Sequence, residues 1–378
     1  MTARPLQEFL HSLNIPKDDQ YMFNTMKKLK EQPYSLITKW NNTKYYMIGY
    51  NENASDLTNE IVNLANGVIV SQENNDILHY CYPRIRNLDE MSSTDPYKVY
   101  HLYDGTIIKL YYYNGELQVG TNFCEDASRS KFNNDKTFYE LFMETVRATG
   151  LNLDELNKDI SYTFIMQNPN NSTIVEHKEH RLILLSAVDM NTLDELDTND
   201  LRLVNVTNLF AQECDFTIEK VLNELNQPDD KLALESDDIL GYLFVQNGYR
   251  YKCEIDLYIK LKELRGSCEN DEYRYLQLLK ENKVDEYLKY YPSRKETFES
   301  VDKKLDSFAL TVMNTYRKKF IYHHQFYIEK YINFIVNEIH QDFLKTKINR
   351  NTQIVKDFII KRYTVESLAH YIDISPYK

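Results

Sequence analysis

The sequence predicts an α+β fold, a strand-rich body followed by an all-helical C-terminal domain. Three observations carry this expectation. Between residues 35 and 125, apolar residues come in short β-branched and aromatic runs separated by polar turns, the pattern of strands. Beyond about residue 262, they recur at helical spacing almost to the C-terminus. The 378-residue length suits two domains at roughly 100–200 residues each, placed here at 1–262 and 263–378.

Taken in order, Leu6, Phe9, Leu10 and Leu13 fall at i, i+3, i+4 and i+7, which marks helix within residues 5–31, and Pro16 follows them. Strands are expected at Tyr45 to Ile48, Gly67 to Val70, Ile77 to Tyr80 and Thr106 to Tyr113. Asn114-Gly115 then turns the chain into Glu116 to Val119, because Asn-Gly suits the positive φ angles of a tight hairpin. A helix over 136–150 ends at Gly150. Strands return at Tyr162 to Met166, Thr173 to Val175 and Leu182 to Ala187. Residues 216–226 read as helix, and a last hairpin runs from Gly241 to Lys252 through Gln246-Asn247-Gly248. In the C-terminal domain Ile332, Ile335, Ile339 and Phe343 form one apolar stripe. Leu276, Leu279, Leu305, Phe308, Leu310, Val355, Phe358 and Ile359 continue it.

Lys and Arg number 45 against 57 Asp and Glu, a formal charge of −12, which argues against non-specific nucleic-acid binding over the whole surface. The charge is uneven. Residues 311–378 hold 11 basic and 6 acidic residues, whereas the first 310 hold 34 and 51. Within the basic end lies Tyr316-Arg317-Lys318-Lys319-Phe320-Ile321-Tyr322-His323-His324. Cations interleaved with aromatics suit an RNA backbone, and the alternative is a solvated helix face. The 31 tyrosines fit either AT-rich coding or base-stacking platforms. Five scattered cysteines without a C-x-x-C pair read as reduced thiols of a cytoplasmic protein. No apolar run approaches the roughly 18 residues of a membrane helix, and the N-terminus lacks the apolar core of a secretory signal.

Local enzyme motifs are absent: no P-loop, G-x-G-x-x-G, H-E-x-x-H or G-x-S-x-G occurs. His177 and His180 sit in a polar turn rather than at metal-ligand spacing. A resemblance emerges from the strands read in order. Ala65-Asn66-Gly67 leads to Tyr82-Pro83-Arg84-Ile85-Arg86-Asn87, then to His101-Leu102-Tyr103-Asp104-Gly105 and Tyr162-Thr163-Phe164. Ile239-Leu240-Gly241-Tyr242 and Tyr251-Lys252-Cys253-Glu254 follow. This succession resembles the phage tRNA-repair RNA ligases, within the covalent nucleotidyltransferases. The resemblance spans nearly the whole chain and implies a nucleotidyltransferase (adenylyltransferase-like) domain with antiparallel sheets.

It also implies a dismantled reaction centre. In that family the K-x-D-G lysine attacks the α-phosphate of ATP, and Leu102 occupies its place here. Asn66 stands for the strand arginine, Thr163 and Leu240 for two glutamates, and Glu254 for the second lysine of K-x-K. Arg84, Asp104, Gly105 and Lys252 survive, and Lys109 lies beyond the K-x-D-G turn. Leu102 and Leu240 suggest a more apolar pocket floor.

The expectation is therefore a pseudoenzyme with no catalytic residue, cofactor or metal. Arg84, Asp104, Lys109, Lys252, Arg317, Lys318 and Lys319 are its candidate phosphate or RNA contacts. Its expected partner is tRNA, other RNA or a ribonuclease toxin, in the role of an immunity factor or antitoxin of the killer-plasmid kind. Two alternatives stand beside it: an active ligase with a relocated nucleophile at Lys109 or Lys252, and a structural subunit without RNA contact. The sequence sets no oligomeric state.

Overall fold

Leu6 and Leu10, one helical turn apart, are fully buried on α1 (Arg4–His11), and Thr25 and Leu29 are fully buried on α2 (Tyr21–Leu29). The computed structural model describes residues 2–40, 44–92, 94–131, 135–171, 174–201, 203–211, 213–225, 239–266, 268, 270–348 and 351–375. These divide into two compact units, Met1–Ile259 and Lys260–Lys378.

The first unit holds three sheets. One is antiparallel, with the order β1 (Ile37–Lys39), β2 (Tyr45–Gly49), β3 (Val68–Ser71), β4 (Ile77–His79), and α3 (Glu60–Leu64) lies between β2 and β3 in sequence. Alternation sorts its side chains. Tyr46, Ile48, Val68 and Val70 pack with Leu6 and Leu10, while Tyr45, Met47 and Ile69 pack with Tyr111.

Between them, the other two sheets take up β5 (Arg86–Asn87), β6 (Lys98–Tyr103), β7 (Thr106–Tyr113), β8 (Glu116–Thr121), β9 (Ile160–Gln167), β10 (Arg181–Asp189), β11 (Asp194–Glu195), β12 (Thr207–Asn208), β13 (Ile239–Gln246) and β14 (Tyr249–Glu254). The larger has the order β11-β10-β9-β7-β8, with β12 running parallel to β10. The smaller has the order β5-β14-β13-β6, antiparallel except for the short β5–β14 pair. Both Asn-Gly turns form as expected: Asn114 and Gly115 lie at φ +51° and +78°, Asn247 and Gly248 at +51° and +79°. That conformation is the left-handed pair a two-residue hairpin requires. The helix α4 (Phe138–Thr149) is capped by Thr137 and Glu140 and closed by left-handed Gly150. Leu141, Phe142 and Val146 of α4 cover Phe164 and Leu184. α5 (Ile218–Leu225) follows the sheet.

One expected strand is replaced. Thr173 lies outside the described residues, and Ile174 and Val175 form a bend. The Val175 N–H donates to the Asp104 carboxylate at 3.0 Å instead of to a neighbouring strand.

The C-terminal unit is helical. α6 (Asp256–Arg265) enters it, and α7 (Asp271–Glu281), α8 (Val284–Tyr290), α9 (Lys295–Tyr316), α10 (Lys330–Thr346), α11 (Thr352–Arg362) and α12 (Val365–Tyr371) follow. Ile335 and Ile339 are buried with Leu276, Leu305, Phe308, Val355 and Ile359 in one core. Leu310 departs from its expected place: it faces outward at 48 % exposure, because α9 turns its apolar stripe through Phe308, Ala309 and Val312. Residues 323–329 hold no helix or strand, a break in the expected helix that separates α9 from α10, and His323 has φ +55°. No helix among the described residues is long and apolar enough to cross a membrane.

Candidate functional site

Three of the sequence-selected positions, Asn66, Arg84 and Lys252, meet at one cleft of about 700 Å3 in the first unit. Arg84 comes from the segment before β5, Lys252 from β14, and Asn66 from the turn before β3. Tyr50, Leu57, Ile85 and Ile107 are its aromatic and aliphatic lining, and Tyr82 lines it as a buried residue with Arg250 over its ring. Glu52, Asn53 and Asn122 are shared with an adjoining hollow of about 400 Å3, which also reaches Lys39 and Gly67.

The cations here are already engaged. Arg84, buried, grips Glu90 with both terminal nitrogens, at 3.2 and 2.7 Å, and donates from Nε to Asn63 Oδ1 at 3.3 Å. That fork holds the Glu90 carboxyl below its usual range. Lys252 Nζ bonds Glu254 at 3.1 Å, so the glutamate at the K-x-K position takes up the lysine beside it. Lys39 Nζ donates to the Phe123 carbonyl at 2.8 Å. Asn66, in place of an arginine, donates to the Tyr82 carbonyl at 3.3 Å.

Asp104 and Lys109 lie deeper. The Asp104 carboxylate is 5 % exposed, accepts the Val175 N–H, and has His177 Nε2 at 3.9 Å. Burial pushes its carboxyl up. Its carbonyl receives Gln167 Nε2 at 3.0 Å, so both ends of the residue brace the turn into β7. Lys109 is 1 % exposed and donates to the Gly67 carbonyl at 2.6 Å. Burial lowers its amine to about 8, and the nearby His79 imidazole is held well below its usual range by burial and by Lys109. Thr163 is buried with its hydroxyl 3.1 Å from His79 Nε2.

Leu102 and Leu240 do not line the cleft. Leu102, half-buried, packs against the cluster that holds Ile165, Ile183 and Leu243. Leu240 is 8 % exposed beside Gly241 on β13. A Cβ on Gly241 would stand 2.0 Å from the Cys253 carbonyl oxygen, which is why that position tolerates no side chain. The aliphatic lining is Leu57, Ile85 and Ile107. Among the described residues, no three His, Cys, Asp or Glu side chains gather as metal ligands.

In the C-terminal unit, Arg317 and Lys318 are exposed in the π-helical turn that ends α9. Lys319 is turned aside, bonded to Asn333 and, at 2.8 Å, to Asn337 of α10. Lys318 lies 5.7 Å from the Phe326 ring centroid. Every residue from Ile321 to Tyr327 is exposed, Tyr327 to 88 % and Tyr322 to 59 %.

Sequence reasoning missed Glu90, Asn122 and Gly67. Glu90 carried a signal, since Asn87 and Glu90 have capping spacing and the Asn87 N–H indeed donates to the Glu90 carboxylate at 3.1 Å. Asn122 carried none, being an ordinary loop asparagine brought in by the β7–β8 hairpin.

No family model matches the chain, and no curated protein matches it. Among solved structures it is similar to an RNA ligase of Naegleria gruberi. An apo lysine mutant of that ligase matches with a TM-score of 0.35 and 13 % identity over 47 % of this chain and 57 % of that one. A glutamate mutant with ATP and Mn gives 0.34 and 13 % over 47 % and 57 %, and the ligase with PPi gives 0.32 and 15 % over 45 % and 52 %. The chain thus spans a little over half the length of these ligase structures.

Proposed function

We propose that this chain is a degenerate relative of the RNA ligases, which binds RNA and performs no nucleotidyl transfer. The observation that carries the reading is the state of the cations around the cleft. Arg84 is held by Glu90, Lys252 by Glu254, and Lys109 lies behind Gly67, while Leu102 has no nucleophile to offer. Covalent transfer to an enzyme amine needs a lysine that reaches the nucleotide phosphorus. The RNA side of the reading is supported by the exposed Arg317, Lys318, Tyr322 and Tyr327, cations and rings of the kind that hold a single strand.

Incubation with ATP labelled at the α-phosphate and Mg2+, followed by denaturing electrophoresis, tests the first half. The expected result is no label on the protein, and a labelled band overturns it. Titration of tRNA across salt tests the second half, with a log–log slope of several counterions expected. Salt-independent or absent binding retires the RNA reading in favour of a structural subunit.

We extend the proposal to a protective role against an anticodon-cleaving ribonuclease toxin, through tRNA or through the toxin itself. The 51 acidic against 34 basic residues of the first 310 would speed association with a basic enzyme. Co-expression with such a nuclease should preserve intact tRNA, and undiminished cleavage would count against the role.

One observation favours the active alternative. The Lys109 amine, lowered to about 8, is more often neutral near physiological pH than an ordinary lysine. If label does appear on the protein, its loss in Lys109→Met assigns the nucleophile.

A further inference from the structure

A nucleoside triphosphate is poorly matched to this cleft. The charged lining residues are Arg84 and Lys252 against Glu52 and Glu90, which balance, and Glu254 beside Lys252 tips the neighbourhood acidic. A phosphate would meet Arg84 with two of its N–H groups already on the Glu90 carboxylate, and Lys252 with Glu254 bonded to its amine. Both carboxylates would stand beside the anion and repel it. Glu52 is exposed at the same opening, with no cation bonded to it among the described residues.

What the cleft does offer is uncharged. Tyr50 is a part-exposed aromatic of the lining, Leu57, Ile85 and Ile107 add aliphatic surface, and Tyr82 is buried with Arg250 over its ring. The side-chain amides of Asn53 and Asn122 make no hydrogen bond among the described residues, so they are available to a ligand. An asparagine amide offers a donor and an acceptor side by side, the complement of a base edge. At about 700 Å3, the space is in the range of ordinary small-molecule sites.

We propose that the cleft receives an uncharged heterocyclic ring with hydrogen-bonding edges, a nucleobase, and discriminates against the triphosphate. This deepens the RNA-binding reading and rests on it only for one source of the base, since a free nucleoside and an unpaired base of RNA carry the same chemistry.

The test titrates the full chain with the four nucleosides, with their Mg2+-triphosphates, with inorganic tripolyphosphate and with a mixed-sequence RNA pentamer, by calorimetry or ligand-observed NMR. At least one base should bind, as the nucleoside or within the pentamer. Any nucleoside that binds should do so about ten-fold more tightly than its triphosphate, and Asn122→Ala should weaken the bound form about five- to ten-fold. Glu254→Gln, outside the cleft lining, should raise triphosphate affinity about five- to ten-fold while leaving the nucleoside unchanged. A nucleoside signal marks a free ligand. Binding confined to the pentamer and weakened by Asn122→Ala marks an RNA base. The proposal is overturned if the wild-type chain prefers the triphosphate, if neither nucleoside nor pentamer binds, or if Asn122→Ala changes neither. Arg317→Gln with Lys318→Gln separates the two proposals: lost tRNA binding with retained nucleoside affinity leaves the cleft assignment standing.

Discussion

Lys109 and Gly67 form a buried contact in which the lysine Nζ donates to the glycine carbonyl at 2.6 Å, and a Cβ built on Gly67 would stand 2.5 Å from that nitrogen. Gly67 also has φ +63°, a conformation that side chains disfavour. Gly67→Ala is therefore expected to cost about 1–3 kcal/mol in urea unfolding, from backbone strain and expulsion of the amine. In a Lys109→Met background the cost should be measurably smaller, because the crowding partner has gone.

Lys109 should also leave a signature at alkaline pH. Its ordinary value of 10.5 is lowered to about 8 on folding, so between these values the unfolded chain holds a proton that the folded chain has released. Stability therefore rises with pH across that window, by an amount on the order of 3 kcal/mol for this one group. Wild type compared with Lys109→Met, by denaturant unfolding from pH 7 to 10.5, isolates the effect from the tyrosines. Parallel stability curves would show that the amine is not desolvated.

The Arg84–Glu90 pair predicts a slope of the same sign in acid, stability again rising with pH. Arg84 holds the Glu90 carboxyl below its usual range, so the contribution is complete above the unfolded value of roughly 4.3 and fades as pH falls through the lowered folded one. Glu90→Gln should cost about 1–3 kcal/mol at neutral pH and flatten that acid dependence. The Arg84 side chain is only 8 % exposed, so most of the loss comes from leaving a guanidinium underpaired.

At the basic end, Arg317→Gln with Lys318→Gln should lower the salt slope of tRNA binding by about 2 counterions. Tyr327→Ala should weaken a single-stranded RNA by about 1–3 kcal/mol without altering the slope, because stacking is not ionic. Lys319→Gln should leave the slope unchanged, since its amine is bonded to Asn333 and Asn337. Gel-shift titrations at several salt concentrations read all three.

The hairpins were the most legible part of the fold. Asn114-Gly115 and Asn247-Gly248 each announce a turn chemistry that only one backbone geometry satisfies, and each forms. The cleft was half legible. Motif order singled out Asn66, Arg84 and Lys252, which meet there. It also drew attention to Leu102 and Asp104, one packed in a core cluster outside the lining and the other buried in its own turn. Strand alternation alone leaves open which face of β6 will meet β7 and which will look into a cavity.

By itself the sequence determined local matters: strand and helix periods, turn residues, and the loss of an amine at position 102. These depend on neighbours a few residues apart, where backbone geometry and side-chain spacing act directly. Only the tertiary structure decided which charge neutralises which. Arg84 finds Glu90, Lys109 finds the Gly67 carbonyl across 42 positions, and Lys319 turns to the asparagines of α10. Electrostatic partnership is a matter of distance in space and of how much water the packing excludes, and neither quantity is written in the order of the residues.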